Sequence, residues 1–244
     1  WTSNELVEYL EAMKELPEYH DKAYVKFTAS MAESFVRVKY IENVLQVSLR
    51  DKRFSVVLQP FFCCRRQKFC CGEALVRVKG FDGKSLPAGE FIPVAEKMGV
   101  LDDITWQVLE MVCEFLAAHR ELPLEALSVN LSMEQCLDLD FPGKICAVLE
   151  KFHLPGTKLK IEITERMIAE DLKCVENMMS RLRAKGIGFY LDDFGTGYSN
   201  FSVLTQLPFE VVKLDKSILS RLLEYSEDRK MLRQMIALFQ SRGF

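Results

Sequence analysis

The sequence predicts an α/β protein built as a β/α barrel, and three observations lead there. From Phe54 onward, short apolar runs of strand length alternate with helical patterns, which implies a largely parallel sheet covered by helices. Pro123, Pro155-Gly156, Gly186 and Pro208 punctuate the joints. Acidic residues and one amide stand at or near the C-terminal ends of several runs. A β/α barrel builds its site at that rim from many strands, whereas an open doubly wound sheet concentrates its site at one switch point. No GxGxxG or GxxxxGK[ST] pattern occurs, so the nucleotide folds built on such loops find no support.

Taken in order, Leu6 to Leu16 favours helix and Tyr24-Val25-Lys26-Phe27 has the composition of a short strand. Met31, Phe35, Val38, Ile41, Leu45 and Leu49 then recur at steps of three and four, the stripe of an amphipathic helix. Strands are expected at 54–60, 69–78, 127–131, 159–164, 188–193 and 211–214. Helices are expected at 88–98, 103–119, 141–152, 170–185 and 217–241. Arg65-Arg66-Gln67-Lys68-Phe69 reads as the turn of a hairpin joining the first two strands, which makes one member of the sheet antiparallel. Six strands fall short of the eight a barrel needs. Ser241 to Phe244 reads as a helix end before another strand, so the barrel is expected to be incomplete within these residues. The chain opens at Trp1 and not at Met, which reads as a piece of a longer protein.

A hydrophobic fraction of 49% with 27% charged residues is that of an ordinary globular protein, and 244 residues suffice for one large domain with an appendage. A formal net charge of −3 speaks against nucleic-acid polymers or an acidic membrane surface as partners. No run reaches the roughly 18 apolar residues of a membrane span. Of the eight cysteines, Cys63-Cys64 and Cys70-Cys71 flank the hairpin turn. A zinc knuckle would need all four to converge, and adjacent cysteines on a strand point to opposite faces. They are read as reduced, mostly packed thiols of a cytosolic protein.

The chemistry lies in the acidic set. Glu73 sits in GEALVR, Asn130 in LSVNLS, Glu162 in LKIEITE, and Asp192 and Asp193 in FYLDDFGTGYS. An uncompensated carboxylate at the end of a core strand costs several kcal/mol. A hard divalent cation is the simplest compensation for Asp, Glu and Asn oxygens, and no His or Cys accompanies the set, which favours Mg²⁺ or Mn²⁺ over Zn²⁺. By period two, Lys213 and Asp215 share one strand face, and so do Glu73, Leu75 and Arg77. A Lys aimed into a carboxylate-rich mouth would orient a water or neutralise developing charge; the plainer reading is a structural ion pair with Asp215 or Glu162. A guanidinium at Arg77 can fork onto a phosphate, with Gln59 facing the same cleft. The plainer reading there is a salt bridge.

GEALVR (72–77), NLS (130–132), EITE (162–165), DDFGTGYS (192–199) and KLD (213–215), in that order, resemble the EAL domain of the bacterial cyclic-di-GMP phosphodiesterases. Gln59-Pro60 and Phe91 to Glu96 fit the resemblance, which covers about 54–244. It implies a modified TIM-like β/α barrel with an antiparallel second strand and a two-ion site of Mg²⁺ or Mn²⁺. Glu73, Asn130 and Glu162 would hold one ion, and Asp192 would bridge to a second also held by Asp193. It further implies that Lys213, Asp193 and Glu73 are catalytic. Gln59, Leu75, Arg77 and Asp215 would contact the dinucleotide. Glu165 would anchor the loop after Asp193, through Thr196 or backbone amides. An EGVE-like glutamate and a QGY-like glutamine normally follow the point where these residues stop.

The expected function is therefore metal-dependent hydrolysis of cyclic-di-GMP to linear pGpG in a bacterial cytoplasm. Two alternatives stand beside it: a silent domain that binds cyclic-di-GMP as a receptor, and an interaction module that binds no nucleotide. Residues 53–244 are read as the EAL domain, lacking its last two β/α units. Residues 1–52 are read as a helical linker or the tail of an upstream GGDEF-like domain, Tyr24 to Phe54 resembling the connection between the two. A homodimer, and an upstream sensor or GGDEF domain able to anchor the whole protein at a membrane, are the partners this implies.

Overall fold

The computed structural model describes residues 28–196, 204, 206–224 and 226–244; the expected helix at Leu6 to Leu16 and strand at Tyr24 to Phe27 lie outside them. Within these residues the chain forms β1 (Ser55–Cys63), β2 (Lys68–Arg77), β3 (Ala126–Asn130), β4 (Leu159–Thr164), β5 (Gly188–Phe194) and β6 (Val211–Leu214), hydrogen-bonded in sequence order into one curved sheet. The helices are α1 (Ala29–Arg50), α2 (Ala88–Lys97), α3 (Leu101–Ala118), α4 (Met133–Leu137), α5 (Phe141–Lys151), α6 (Glu165–Glu170), α7 (Leu172–Arg183), α8 (Lys216–Glu224) and α9 (Ser226–Ser241). Strand order and connections are those of most of a β/α barrel. Among the described residues, no helix is long and apolar enough to cross a membrane.

β2 is antiparallel to β1, as expected, but β2 to β6 are mutually parallel, so β1 is the strand reversed against the other five. The cause is local. A four-residue turn can only return the chain alongside itself, whereas every later strand is reached through a helical crossover. β1 is an edge strand and alternates between exposed and half-buried positions, which is how it accommodates Pro60 without losing a ladder bond that matters. β3 and β4 are buried along most of their length because helices cover one face and barrel-interior side chains the other.

The core lies between sheet and helices. Ile161, Ile163, Phe189 and Leu191 point outward to meet Phe91, Ile104, Val108, Phe141, Ile145, Val175 and Met179. The second half of α1 joins the same core through Ile41, Val44 and Leu45. Burying such side chains removes roughly 25 cal/mol per Å² of apolar surface from water, the main force holding helices to sheet. The helix expected at 170–185 is two pieces, because Asp171 breaks α6 and caps α7 through Cys174 N (3.0 Å). The one expected at 217–241 is α8 and α9. The short α4 was not anticipated, although its capping box is legible: Gln135 accepts from Ser132 N (3.0 Å).

Two departures from period-two alternation matter for function. In β2, Phe61 pairs with Cys71 and Phe62 with Phe69, so Cys70 is an extra residue. In β5, Leu191 pairs with Val212 and Phe194 with Leu214, so Asp192 and Asp193 together oppose Lys213. A bulge of this kind re-aims consecutive side chains that regular pleating would separate.

Gly156 packs its Cα against the backbone of Lys185, and a Cβ there would overlap the Lys185 carbonyl oxygen. Gly156→Ala should lower stability by about 1–3 kcal/mol in urea denaturation, since backbone cannot yield cheaply. Gly188→Ala should cost less, because the atoms it meets are the mobile tips of Glu210 and Lys160.

Candidate active site at the C-terminal rim

Neighbouring parallel strands bring the acidic residues together without long-range adjustment. Asn130 on β3 lies beside Glu162 on β4, and Thr164 beside Asp192 on β5. Gln59 on β1 lies beside Glu73 on β2. Carboxylate oxygens of Glu73, Glu162 and Asp192 all fall within 4.8 Å of one another. Lys213 on β6 reaches into this group, its Nζ donating to Glu73 Oε2 (2.8 Å) and Glu162 Oε2 (2.5 Å) and lying 3.1 Å from Asp192 Oδ2. Asn130 Nδ2 donates to Glu73 Oε1 (2.8 Å), and Ser128 Oγ to Glu162 Oε1 (2.5 Å).

Three carboxylates thus face one ammonium in a nearly dry setting, with Glu162 1% exposed. Burial pushes the Glu162 carboxyl up to about 7; Lys213 and Ser128 pull it back, and Glu73 adds to the rise. Burial alone would lower Lys213, but Glu162, Glu73 and Asp192 outweigh it and hold the ammonium above its ordinary value. Lys213 therefore keeps its proton throughout the neutral range.

Asp193 follows the cluster in a left-handed backbone conformation (φ 54°). Partial burial and the neighbouring Asp192 and Asp215 carboxylates push it above the usual carboxylate range. Its own amide donates to Asp192 Oδ1 (2.9 Å). Glu165, buried at the start of α6, accepts from Gly195 N (3.0 Å), and Thr196 N donates to the Asp193 carbonyl (3.3 Å). The loop is thereby tied at both its first and fourth residues; Gly197 to Asn200 lie outside the described residues.

Asp215 lies near enough to Asp193 for its charge to be felt there, but its carboxylate is engaged as a helix cap. β6 ends at Leu214, and the Asp215 carboxylate caps the next helix by accepting from Ser217 N (2.8 Å) and Ser217 Oγ. That capping holds it below the usual carboxylate range, and strand periodicity does not carry past the strand end. Of the two ion pairs weighed for Lys213, the structure contains the one with Glu162.

A cleft of about 1070 Å³ opens along the same rim, lined among others by Leu75, Arg77, Asn130, Thr164, Asp193 and Thr196. Arg77 Nη1 donates to the Val76 carbonyl (2.8 Å), and no carboxylate holds it among the described residues. Two interior residues escaped the sequence reading. Ser128 was findable by stepping two residues back from Asn130. Tyr190, beside Glu162, is buried in the barrel interior, and its hydroxyl is held above its ordinary range first by burial, then by the nearby Cys71.

The fold and this rim define an acidic-mouthed β/α barrel with a lysine at its centre. The chain belongs to the EAL domain family, whose model matches residues 42–244. Among curated relatives it is 32% identical over 198 residues to the signaling protein YkoW of Bacillus subtilis, covering 81% of this chain and 25% of that protein. It is 27% identical over 191 residues to the cyclic di-GMP phosphodiesterase PdeF of Escherichia coli, covering 78% of this chain and 25% of that one. A solved phosphodiesterase, PaMucR in complex with c-di-GMP, superposes with a TM-score of 0.74 at 26% identity, covering 82% of each chain. The chain thus spans about a quarter of the length of these curated relatives.

Glu162 yields a signed pH prediction. Its folded value of about 7 lies above its ordinary 4.5, so the folded state holds the extra proton between those limits and stability falls as pH rises through that window. In chelator-treated protein the loss should be on the order of 3 kcal/mol by urea denaturation. Glu162→Gln should flatten the profile.

Proposed function

We propose that this chain is the catalytic domain of a cyclic-di-GMP phosphodiesterase, opening one phosphodiester by water attack to give linear pGpG. The observation that carries the reading is the convergence of Glu73, Glu162, Asp192 and Lys213 at a rim where a dinucleotide-sized cleft begins. The donor set fits a hard divalent cation, because all its atoms are oxygens and its negative charge exceeds what one ammonium offsets. Glu73, Asn130, Glu162, Asp192 and Asp193 would hold Mg²⁺ or Mn²⁺ as a two-ion site. When bound, such ions supply Lewis-acid stabilisation of the charge that develops at phosphorus.

The protein's own contributions follow from the geometry. Lys213, permanently protonated, donates hydrogen bonds to the attacking water or a phosphoryl oxygen and does not abstract a proton. Asp193, the exposed member of the pair with a raised affinity for protons, accepts the proton that the water loses. Arg77 presents its remaining guanidinium donors to a substrate phosphate, and Leu75 packs beneath a base. Gln59 completes the cleft wall beside Glu73. Glu165 keeps the Asp192-Asp193 bulge in register by holding Gly195.

A second reading has one observation in its favour. Lys213 already pairs with three carboxylates, so the cluster is partly self-compensated and could serve a receptor that binds cyclic-di-GMP without cleaving it.

Incubation with cyclic-di-GMP and Mg²⁺ or Mn²⁺, followed by chromatographic separation of pGpG, distinguishes the two. Hydrolysis predicts turnover that falls at least about 100-fold in Lys213→Met and Asp192→Ala. Calorimetric binding with turnover no greater than that of Asp192→Ala would establish the receptor instead. Arg77→Ala should raise KM more than it lowers kcat.

A further inference from the structure

At the opposite end of the barrel, the hairpin cysteines assemble a second cluster that the rim chemistry does not use. Regular pleating would send Cys70 and Cys71 to opposite faces, and on that ground their convergence was not expected. The bulge at Cys70 removes the obstacle. The sulfurs of Cys70 and Cys71 and a carboxylate oxygen of Glu125 all lie within 4.8 Å of one another. Cys63, across the hairpin, lies near Cys70 but outside that close group. The Cys63 thiol is held below its ordinary range, first by the backbone N–H of Arg66, whereas burial pushes that of Cys70 up. Glu125 is fixed to the bulge by its own amide, which donates to the Cys70 carbonyl (2.7 Å). All of these cysteines are free thiols.

We propose that Cys70, Cys71 and Glu125 form a binding site for a thiophilic divalent cation, Zn²⁺ by chemical class, with water in the remaining position. Thiolate sulfurs at about 2.3 Å and a carboxylate oxygen at about 2.0–2.2 Å from a tetrahedral ion stand less than 4 Å apart, so the observed spacing needs only small side-chain adjustment. Two sulfurs and one oxygen favour zinc over the magnesium or manganese suited to the rim. Arg66, the one cation paired with Glu125, is bound to it in an exposed surface pair that a metal can displace. Cys64 is exposed on the far side of the turn and takes no part.

Titration of the reduced full chain with Co²⁺ tests this site separately from the carboxylate rim, since only thiolate ligation gives an intense sulfur-to-cobalt charge-transfer band in the near ultraviolet. One equivalent of Co²⁺ should produce the band and one equivalent of Zn²⁺ should abolish it. Cys70→Ser and Cys71→Ser should each lose it while keeping the wild-type circular dichroism spectrum. Glu125→Gln should retain a band that needs more cobalt to fill. Absence of the band in reduced wild-type protein would overturn the proposal, as would its persistence in the Cys70→Ser/Cys71→Ser double variant or its loss in Cys64→Ser.

Discussion

Burying Glu162 at the heart of the barrel is the constraint around which the rest is arranged. A carboxylate that is 1% exposed demands compensation, and the fold supplies it from β6 through Lys213 and from β3 through Ser128. Neither partner is near Glu162 in sequence. Both depend on correct strand order and register, because a one-residue slip would turn either side chain to the helix face. The charge therefore reports on the topology, and the topology would be penalised wherever it failed to deliver the charge.

The same arithmetic explains why the rim is reactive. Lys213 serves three carboxylates at once, so the cluster retains a net attraction for cations while burial holds Glu162 well above the usual carboxylate range. Apolar packing between Phe91, Ile161, Phe189 and their neighbours holds this arrangement in place. Residues in close-packed surroundings cannot drift apart to relieve repulsion, so the strain stays where chemistry can use it.

Much of this was legible in the residues. Six strands and most helices were placed within a few positions, because buried parallel strands are continuous apolar runs and their C-terminal carboxylates stand out against them. Glu73, Asn130, Glu162 and Asp192 were visible for the same reason. What escaped notice involved breaks in periodicity. Asp215, one residue past the expected strand end at Leu214, was still given strand periodicity, and its part in capping the next helix emerged only from Ser217. The bulges at Cys70 and at Asp192-Asp193 are set by register with the neighbouring strand, which a single strand's pattern does not encode. The reversed strand was assigned to the wrong side of its hairpin, since a turn shows that two strands oppose each other and not which of them agrees with the sheet.

Tyr190 gives the two ends of the barrel something in common. Its hydroxyl lies near Cys71 below, while its backbone lies two residues before Asp192 and beside Glu162. Extended chain spans only about 7 Å over that interval and is stiff along its length. β5 therefore acts as a short rigid rod shared by the sulfur and oxygen clusters, and any displacement imposed at its lower end arrives at the upper one with little slack to absorb it.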